Sequence, residues 1–315
     1  ATASGMAAVF TSLGALLGTG DRLVAARSLF GSCFVVCNEI LPRWGVETVF
    51  VDGDDLSQWE EALSVPTQAV FFETPSNPMQ SLVDIAAVSD IAHAAGAKVV
   101  LDNVFATPPL LQQGFPLGAD VVVYSGTKHI DGQGRVLGGG AILGEKEYID
   151  GPVQKLMRHT GPALSAFNAW VLLKGLETMS VRVDYSNRSA QRIAEFLESQ
   201  PGGVNWVKYP FLESHPQFDL AKRQMRGGGT VVTFELDGGK ARAFEVLDKL
   251  QIIDISNNLG DAKTLITHPA TTTHRAMGPE GRASIGLGDG GVVRISVGGL
   301  EGTEDLISDL ERALS

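Results

Sequence analysis

The chain reads as an α/β protein, with a large first domain over residues 1–176 built on a mostly parallel sheet and a smaller α+β unit over residues 177–315. Three observations predict this. Short apolar runs alternate with amphipathic helical stretches up to about residue 145, the order that βαβ units require. Several of these runs are apolar at every position, as strands covered on both faces must be. Beyond residue 200 strands and helices follow one another without that strict alternation.

Taken in order, residues 6–17 form a first helix that starts after the small residues Ser4-Gly5. Strands are expected at 23–26, 47–51, 69–73, 99–101, 120–124 and 139–143, and helices at 56–63 and 82–95. After Pro162 two stretches, 163–176 and 181–199, keep a helical period and are expected to be a pair of helices bridging the domains. A β-run at 229–236 follows a glycine cluster; then come a helix at 240–250, an apolar run at 252–255, a strand at 292–297 and a last helix at 303–314. Residues 267–291, rich in Thr, Pro and Gly, read as a loop, and long loops without structure of their own tend to be functional. No internal repeat or low-complexity tract interrupts this order.

A net charge of −11 and a pI near 5.0 disfavour a broad phosphate-binding surface, so nucleic acid is not an expected partner. No apolar stretch approaches the roughly 18 residues that span a bilayer, so no membrane partner is expected. Cys33 and Cys37 stand alone in an apolar segment without nearby ligand residues. They read as buried reduced thiols rather than metal ligands, which suits a cytoplasmic setting. Residues 1–6 show no charged n-region or cleavage pattern and read as the middle of a domain. A nucleotide-binding module is the alternative that the alternating pattern suggests, but neither a G-x-G-x-x-G nor a phosphate-loop motif is present.

The chemistry centres on Lys128. The apolar run Val121-Val122-Val123-Tyr124 ends in Ser125-Gly126-Thr127-Lys128-His129, which places hydroxyls and an amine at the carboxyl end of a buried strand. Asp102 ends another such run, 128 − 102 = 26 positions earlier. An aldehyde cofactor with a pyridinium nitrogen needs this pair, a lysine for the Schiff base and a carboxylate for the ring nitrogen. Ser4-Gly5-Met6 at a helix start, with Ser125 and Thr127, could hold its phosphate. Each feature has a plainer reading: Ser-Gly-Met is a common cap, Asp102 a turn residue and Lys128 a solvated surface lysine. Arg294, inside the apolar run 292–297, must be satisfied either by an ion pair or by a substrate carboxylate.

Glu73-Thr74-Pro75-Ser76-Asn77-Pro78, Leu101-Asp102-Asn103-Val104-Phe105-Ala106-Thr107-Pro108 and Ser125-Gly126-Thr127-Lys128-His129 together resemble the cystathionine γ-synthase-like enzymes of transsulfuration, which are fold-type I pyridoxal phosphate enzymes. The likeness continues through Gly161-Pro162-Ala163-Leu164-Ser165, Asn258-Leu259-Gly260-Asp261 and Thr267-His268-Pro269-Ala270-Thr271-Thr272-Thr273-His274 and so covers essentially the whole chain. It implies pyridoxal 5'-phosphate as cofactor, with Lys128 as its covalent anchor, Asp102 at the ring nitrogen and Gly5, Met6, Ser125 and Thr127 on the phosphate. It further implies Phe30 against the ring, where the family usually has Tyr, Asn77 in contact with cofactor or substrate, and Asn258 and Arg294 toward the substrate. None of the six histidines is implied as the catalytic base.

Ser28-Leu29-Phe30-Gly31, the Asp131-Gly132-Gln133-Gly134-Arg135 segment and Thr271-Thr272-Thr273-His274-Arg275 are most similar to the branch that makes homocysteine for methionine biosynthesis from O-succinyl-L-homoserine and sulfide, and Ser32 stands where the γ-lyases carry Cys. Cystathionine formation with cysteine and γ-elimination are the alternatives on the same scaffold. The resemblance also implies a homotetramer of dimers with shared active sites, and an arm with a Tyr-x-Arg segment preceding the present Ala1. Two departures stand out: Asn258 occupies a position where Ser is customary, and the segment after Arg294 is one residue longer, at Gly298-Gly299.

Overall fold

The structure, a computed structural model, describes residues 1–200, 203–288 and 290–315. Asp289, within the expected loop at 267–291, lies outside the described residues. The first helix, α1 (Gly5–Leu16), begins where Ser4 caps it, its hydroxyl accepting the Ala7 N–H at 3.0 Å. There follow β1 (Arg22–Ala26), α2 (Gly31–Val35), β2 (Glu47–Val51), α3 (Leu56–Ala62), β3 (Ala69–Glu73), α4 (Ile85–Ala94), β4 (Lys98–Asp102), β5 (Val121–Ser125) and β6 (Gly140–Gly144).

These strands form one sheet in the order β2-β1-β3-β4-β5-β6, parallel except for β6 against β5. Because successive side chains alternate between faces, the strands build two cores. Val24, Val70, Phe72, Val99, Leu101 and Val122 pack with Trp59, Ile85 and Val88 of α3 and α4. Leu23, Ala25, Phe71, Val100, Val121 and Val123 pack with Val9 and Leu13 of α1 and with Cys33, Cys37 and Leu41. The runs apolar at every position are therefore strands sandwiched between helices. The chain moves outward from β1 to β2 and then crosses back to β3, so the order reverses between β1 and β3 and opens a crevice at the carboxyl ends of the strands.

After α5 (Lys146–Tyr148) and α6 (Gln154–Thr160) the structure corrects one expectation. The two helices at 163–176 and 181–199 are a single helix, α7 (Ala166–Glu198), 33 residues long and spanning about 50 Å at ~1.5 Å per residue. No proline interrupts residues 177–180, and Met179 between the two apolar stretches is itself buried against the large sheet's core. The proposed division at 176/177 falls inside this helix.

Beyond it lie β7 (Val204–Lys208), α8 (Phe218–Gln224), β8 (Val231–Leu236), α9 (Gly239–Lys249), β9 (Asp254–Ile255), β10 (Leu265–Thr267), α10 (Gly278–Ser284), β11 (Val292–Ser296) and α11 (Thr303–Leu314). The second sheet runs β7-β8-β11-β10-β9 and is antiparallel except between β10 and β9. Ile193 and Leu197 of α7, Val246 of α9 and Leu310 of α11 cover Phe234, Val293 and Ile295 of this sheet. The sequence reading missed β7, α8, β10 and α10. β10 is only three residues long, and α10 begins in a Gly-Pro pair, with proline in the first turn where its missing N–H costs nothing. Among the described residues no helix is long and apolar enough to cross a membrane.

One close approach connects α7 to the strand ends. A Cβ on Gly175 would sit 2.0 Å from the carbonyl oxygen of Ile130, and Arg182 one helical face further on donates to the carbonyls of His129 at 3.1 Å and Gly175 at 2.8 Å. The turn carrying Lys128 is thus held directly against the helix backbone. Gly175→Ala gains roughly 1 kcal/mol of helix propensity. It also drives a methyl into a fixed carbonyl, and such overpacking costs ~1–3 kcal/mol or more. The clash should win, lowering the urea midpoint of unfolding; an unchanged or higher midpoint would show that the turn can move aside freely.

Candidate active site

Three neighbouring strands end in polar residues at the crevice: Glu73 on β3, Asp102 on β4 and Ser125 on β5. Glu73 is paired directly with Asp102 across the β3–β4 ladder. With the start of α1, the turn after β5 and the middle of β11 they enclose a cavity of about 240 Å³. Gly5, Met6, Phe30, Asn77, Asp102, Ser125, Thr127, Lys128 and Arg294 all line it. Of the residues assigned to cofactor or substrate in the sequence, only Asn258 does not; it bonds Lys128, which does.

The chain turns sharply after β5. Gly126–Ile130 forms a single π turn, and Lys128 within it leaves helical geometry, with φ −92° and ψ −128°. Its Nζ donates to Asn258 Oδ1 at 2.6 Å. Burial, with a smaller contribution from the nearby Arg294 charge, pulls the lysine down from its usual range to about 8. At the opposite end of the cavity, α1 presents its first turn, where N–H groups have no partner within a helix. Gly5 passes so close to β5 that a Cβ there would lie 2.8 Å from the Ser125 Cβ and Oγ, so only glycine lets the helix start meet the strand end. Thr127 is anchored nearby by accepting the Gly138 N–H at 3.1 Å.

Asp102 is 6% exposed and accepts the Val104 N–H at 3.1 Å. Burial pushes its carboxyl up to about 6, against the opposing pull of that hydrogen bond. The neighbouring Asn103 braces the same strand end from behind: its amide donates to Tyr124 Oη at 2.8 Å and to the Gln112 carbonyl at 3.0 Å. A free carboxylate at the cavity and a fully bonded amide beneath it explain why this strand ends in Asp-Asn.

Arg294 is 1% exposed in the centre of β11, between Thr233 of β8 and Thr267 of β10. Its Nη1 donates to Asn77 Oδ1 at 2.9 Å, and its Nη2 to the carbonyls of Asn257 at 2.9 Å and Asn258 at 3.2 Å. Nε has no hydrogen-bond partner, and no carboxylate forms an ion pair with the guanidinium among the described residues. Burial brings it down to about 10, with Glu73 pulling the other way. Of the two ways to satisfy this cation, the structural ion pair is therefore not the one seen. The extra residue at Gly299 lies beyond the end of β11 at Ser296, with its N–H on the Ala262 carbonyl at 2.7 Å, so the register of Arg294 is untouched.

Several site residues escaped the sequence reading. Glu73 was visible in the motif but carried no role; its Oε2 accepts the Phe30 N–H at 2.8 Å and its Oε1 the Asn77 N–H at 2.9 Å. The available signal was a charge ending a fully apolar strand, the same signal that marked Asp102. Cys33, Asn257, Leu259 and Thr273 also line the cavity, and nothing in their local sequence distinguished them. Cys33 and Cys37 are both free and buried; burial raises the Cys33 thiol well above its usual value and Cys37 to about 12. Arg135 is a loop brace rather than a wall of the cavity, its Nε on Asp131 Oδ1 at 2.8 Å and its N–H on Oδ2 at 2.7 Å. Burial holds His129 down to about 3 and His274 to about 4, so both stay neutral near pH 7. Among the described residues no group of His, Cys, Asp or Glu is arranged to hold a metal ion.

Residues 1–315 match the family model described as Cys/Met metabolism PLP-dependent enzyme. The chain is 84% identical over its whole length to an O-succinylhomoserine sulfhydrylase of Mycobacterium tuberculosis, of which it spans 77%. It is 46% identical, again over its whole length and 77% of the relative, to an O-succinylhomoserine sulfhydrylase of Pseudomonas aeruginosa. Among solved structures, cystathionine gamma synthase from Xanthomonas oryzae pv. oryzae in complex with aminoacrylate and cysteine superposes with a TM-score of 0.95 at 35% identity, covering 99% of this chain and 80% of that one.

The lowered affinity of Lys128 for protons has a measurable consequence. Only a neutral amine can attack an aldehyde, and the neutral form of Lys128 gains population as pH passes through about 8 instead of the ordinary lysine value. Capture of pyridoxal phosphate by the apoprotein, followed by its visible absorption, should therefore accelerate with pH and level off above that point. A rate still climbing toward the ordinary lysine value would contradict the burial argument.

Proposed function

The chain belongs to the Cys/Met metabolism PLP-dependent enzymes, and we propose that it catalyses γ-replacement, converting O-succinyl-L-homoserine and hydrogen sulfide to L-homocysteine and succinate. The observation that carries this reading is the convergence on one cavity of a half-buried amine, a buried carboxylate and a buried guanidinium that has no ion-pair partner among the described residues. The 84% identity to an O-succinylhomoserine sulfhydrylase supports the choice of reaction within the family.

The cavity suits the cofactor group by group. First-turn N–H groups at Gly5 and Met6, with the hydroxyls of Ser125 and Thr127, form an anion cradle that Gly5 alone keeps open. Asp102 would hold a cationic ring nitrogen, whose charge would keep the carboxylate ionised despite its burial. Phe30 provides an aromatic face and Lys128 the amine. When bound, pyridoxal phosphate supplies an electron sink that makes a proton at the substrate α-carbon removable.

The chain's own residues then have defined tasks. Arg294, whose Nε is unpaired, takes the substrate carboxylate in its guanidinium fork, while Asn77 and the Asn257–Asn258 carbonyls keep that fork in place. Lys128 Nζ removes the α-proton and carries it toward the neighbouring carbon, and Asn258 Oδ1 holds the amine when it is not so engaged. Phe30 brings no hydroxyl where the family usually has a phenol, and the proton transfer falls to the lysine. Across the whole reaction the Cγ–O bond breaks, a Cγ–S bond forms and the sulfide proton departs with succinate. Cystathionine synthesis and γ-elimination use the same residues, so the nucleophile supplied to the cavity separates the readings.

Self-association belongs to the same reading. Phe167, Trp170 and Leu173 are more than half exposed along α7, and Leu137, 80% exposed, extends this apolar face to the cavity wall. A tetramer of dimers with sites near subunit boundaries would cover it. A cytoplasmic setting completes the proposal and suits the two free, buried thiols.

Lys128→Ala should lower turnover by roughly a thousandfold or more while leaving noncovalent cofactor binding through the phosphate cradle. An unaltered rate would remove the lysine from the mechanism. Wild-type protein given O-succinylhomoserine and sulfide should release homocysteine and succinate in equal amounts. If 2-oxobutyrate dominates, or if cysteine as co-substrate yields cystathionine faster, one of the neighbouring reactions is the true one.

A further inference from the structure

Glu73 has no part in the chemistry above, yet a buried acid beside Asp102 is costly unless something depends on it. Each of its oxygens holds a single backbone donor, and the two donors come from different parts of the chain. Oε2 takes the N–H of Phe30, which starts α2 without any side-chain cap of its own. Oε1 takes the N–H of Asn77, whose amide oxygen in turn receives Arg294 Nη1 at 2.9 Å. A single carboxylate thus joins the ring that faces the cofactor to the residue that shapes the carboxylate-binding guanidinium.

We propose that Glu73 is a positioning residue that sets the Phe30 ring and the Asn77–Arg294 clamp together. This rests on reading the cavity as the pyridoxal phosphate site. Asparagine or serine could satisfy backbone donors, but neither offers two acceptor oxygens at this reach. No carboxylate pairs with Arg294 within ion-pair distance among the described residues, so the guanidinium stays open to an incoming carboxylate. Burial and Asp102 push the Glu73 carboxyl well up, and the bridge rests on its two acceptor oxygens, each of which holds one backbone donor.

The test compares Glu73→Gln and Glu73→Asp with the wild-type holoenzyme. Four quantities are measured: the apoprotein's affinity for pyridoxal phosphate by fluorescence titration, the visible band of the bound cofactor, KM against kcat, and Tm. Glycine, which carries the carboxylate but no leaving group, serves as a second probe of the clamp. With one acceptor lost, Gln should weaken both cofactor and glycine binding by about tenfold and raise KM similarly, with kcat changed less. Asp keeps both acceptor oxygens but is one methylene short of bridging both donors. It should weaken cofactor and glycine binding together, by less than Gln does, and it also keeps the test alive if the Gln variant fails to fold. Wild-type affinities in Glu73→Gln, or a fall in Tm with both affinities intact, would overturn the proposal. A wild-type enzyme that rejects O-succinylhomoserine, together with variants that show these paired shifts, would sink the reaction assigned above and leave this inference standing.

Discussion

The burial of Arg294 is the constraint around which the rest of the site is organised. A guanidinium in the middle of an antiparallel sheet loses its hydration, and the protein replaces that water with neutral oxygens rather than with a bonded carboxylate. Those oxygens come from both halves of the molecule: Asn77 follows a strand of the first sheet, while Asn257 and Asn258 lie between strands of the second. Satisfying one side chain therefore fixes how the two sheets meet. The segment that bonds Arg294 through its carbonyls also holds Lys128 through the Asn258 amide, so amine and guanidinium share one support.

The charges around the cavity follow from the same lack of water. Lys128 and Arg294 are both drawn down from their usual values, chiefly by burial, and Lys128 also by the charge of Arg294. Asp102 and Glu73 are both raised. Burial thus works against the charged form of each group, and a ligand carrying a ring cation and a carboxylate would supply counter-charges for Asp102 and Arg294. Shifted groups gathered in one cavity of this kind mark functional sites, because preorganised charges stabilise charge as it develops in a reaction. The aromatic and aliphatic walls matter for the same reason, because water in the cavity would screen these charges and weaken them.

Much of this was legible in the chain. Strands whose residues are apolar throughout can only lie between helical layers, so β1, β3, β4 and β5 were found to within a residue or two. Lys128, Asp102 and Arg294 stood out because each is a charge set in or just beyond an apolar run. Glu73 obeyed the same rule, but its meaning depends on two backbone donors, one of them 43 positions away, which no local pattern reveals. Helix α7 was read as two because residues 177–180 break the apolar period. The buried Met179 and the absence of proline carry the helix through, since packing along its length outweighs a local interruption. β10 and α10 disappeared into a Thr- and Gly-rich stretch because elements of three and seven residues show too little periodicity to register.

By itself, the sequence determined the layered α/β class, the strand ends that carry polar groups, and the identity of an amine and a carboxylate suited to one kind of cofactor. These are consequences of hydrophobic periodicity and of where charges interrupt it, and both are local. Only the tertiary structure decided that Arg294 has no ion-pair partner among the described residues, that Asn258 meets Lys128 rather than the cavity itself, that Arg135 braces a loop, and that Glu73 ties Phe30 to Asn77. Those facts depend on distances between residues far apart in the chain, and they are settled by how two sheets pack around one desolvated charge.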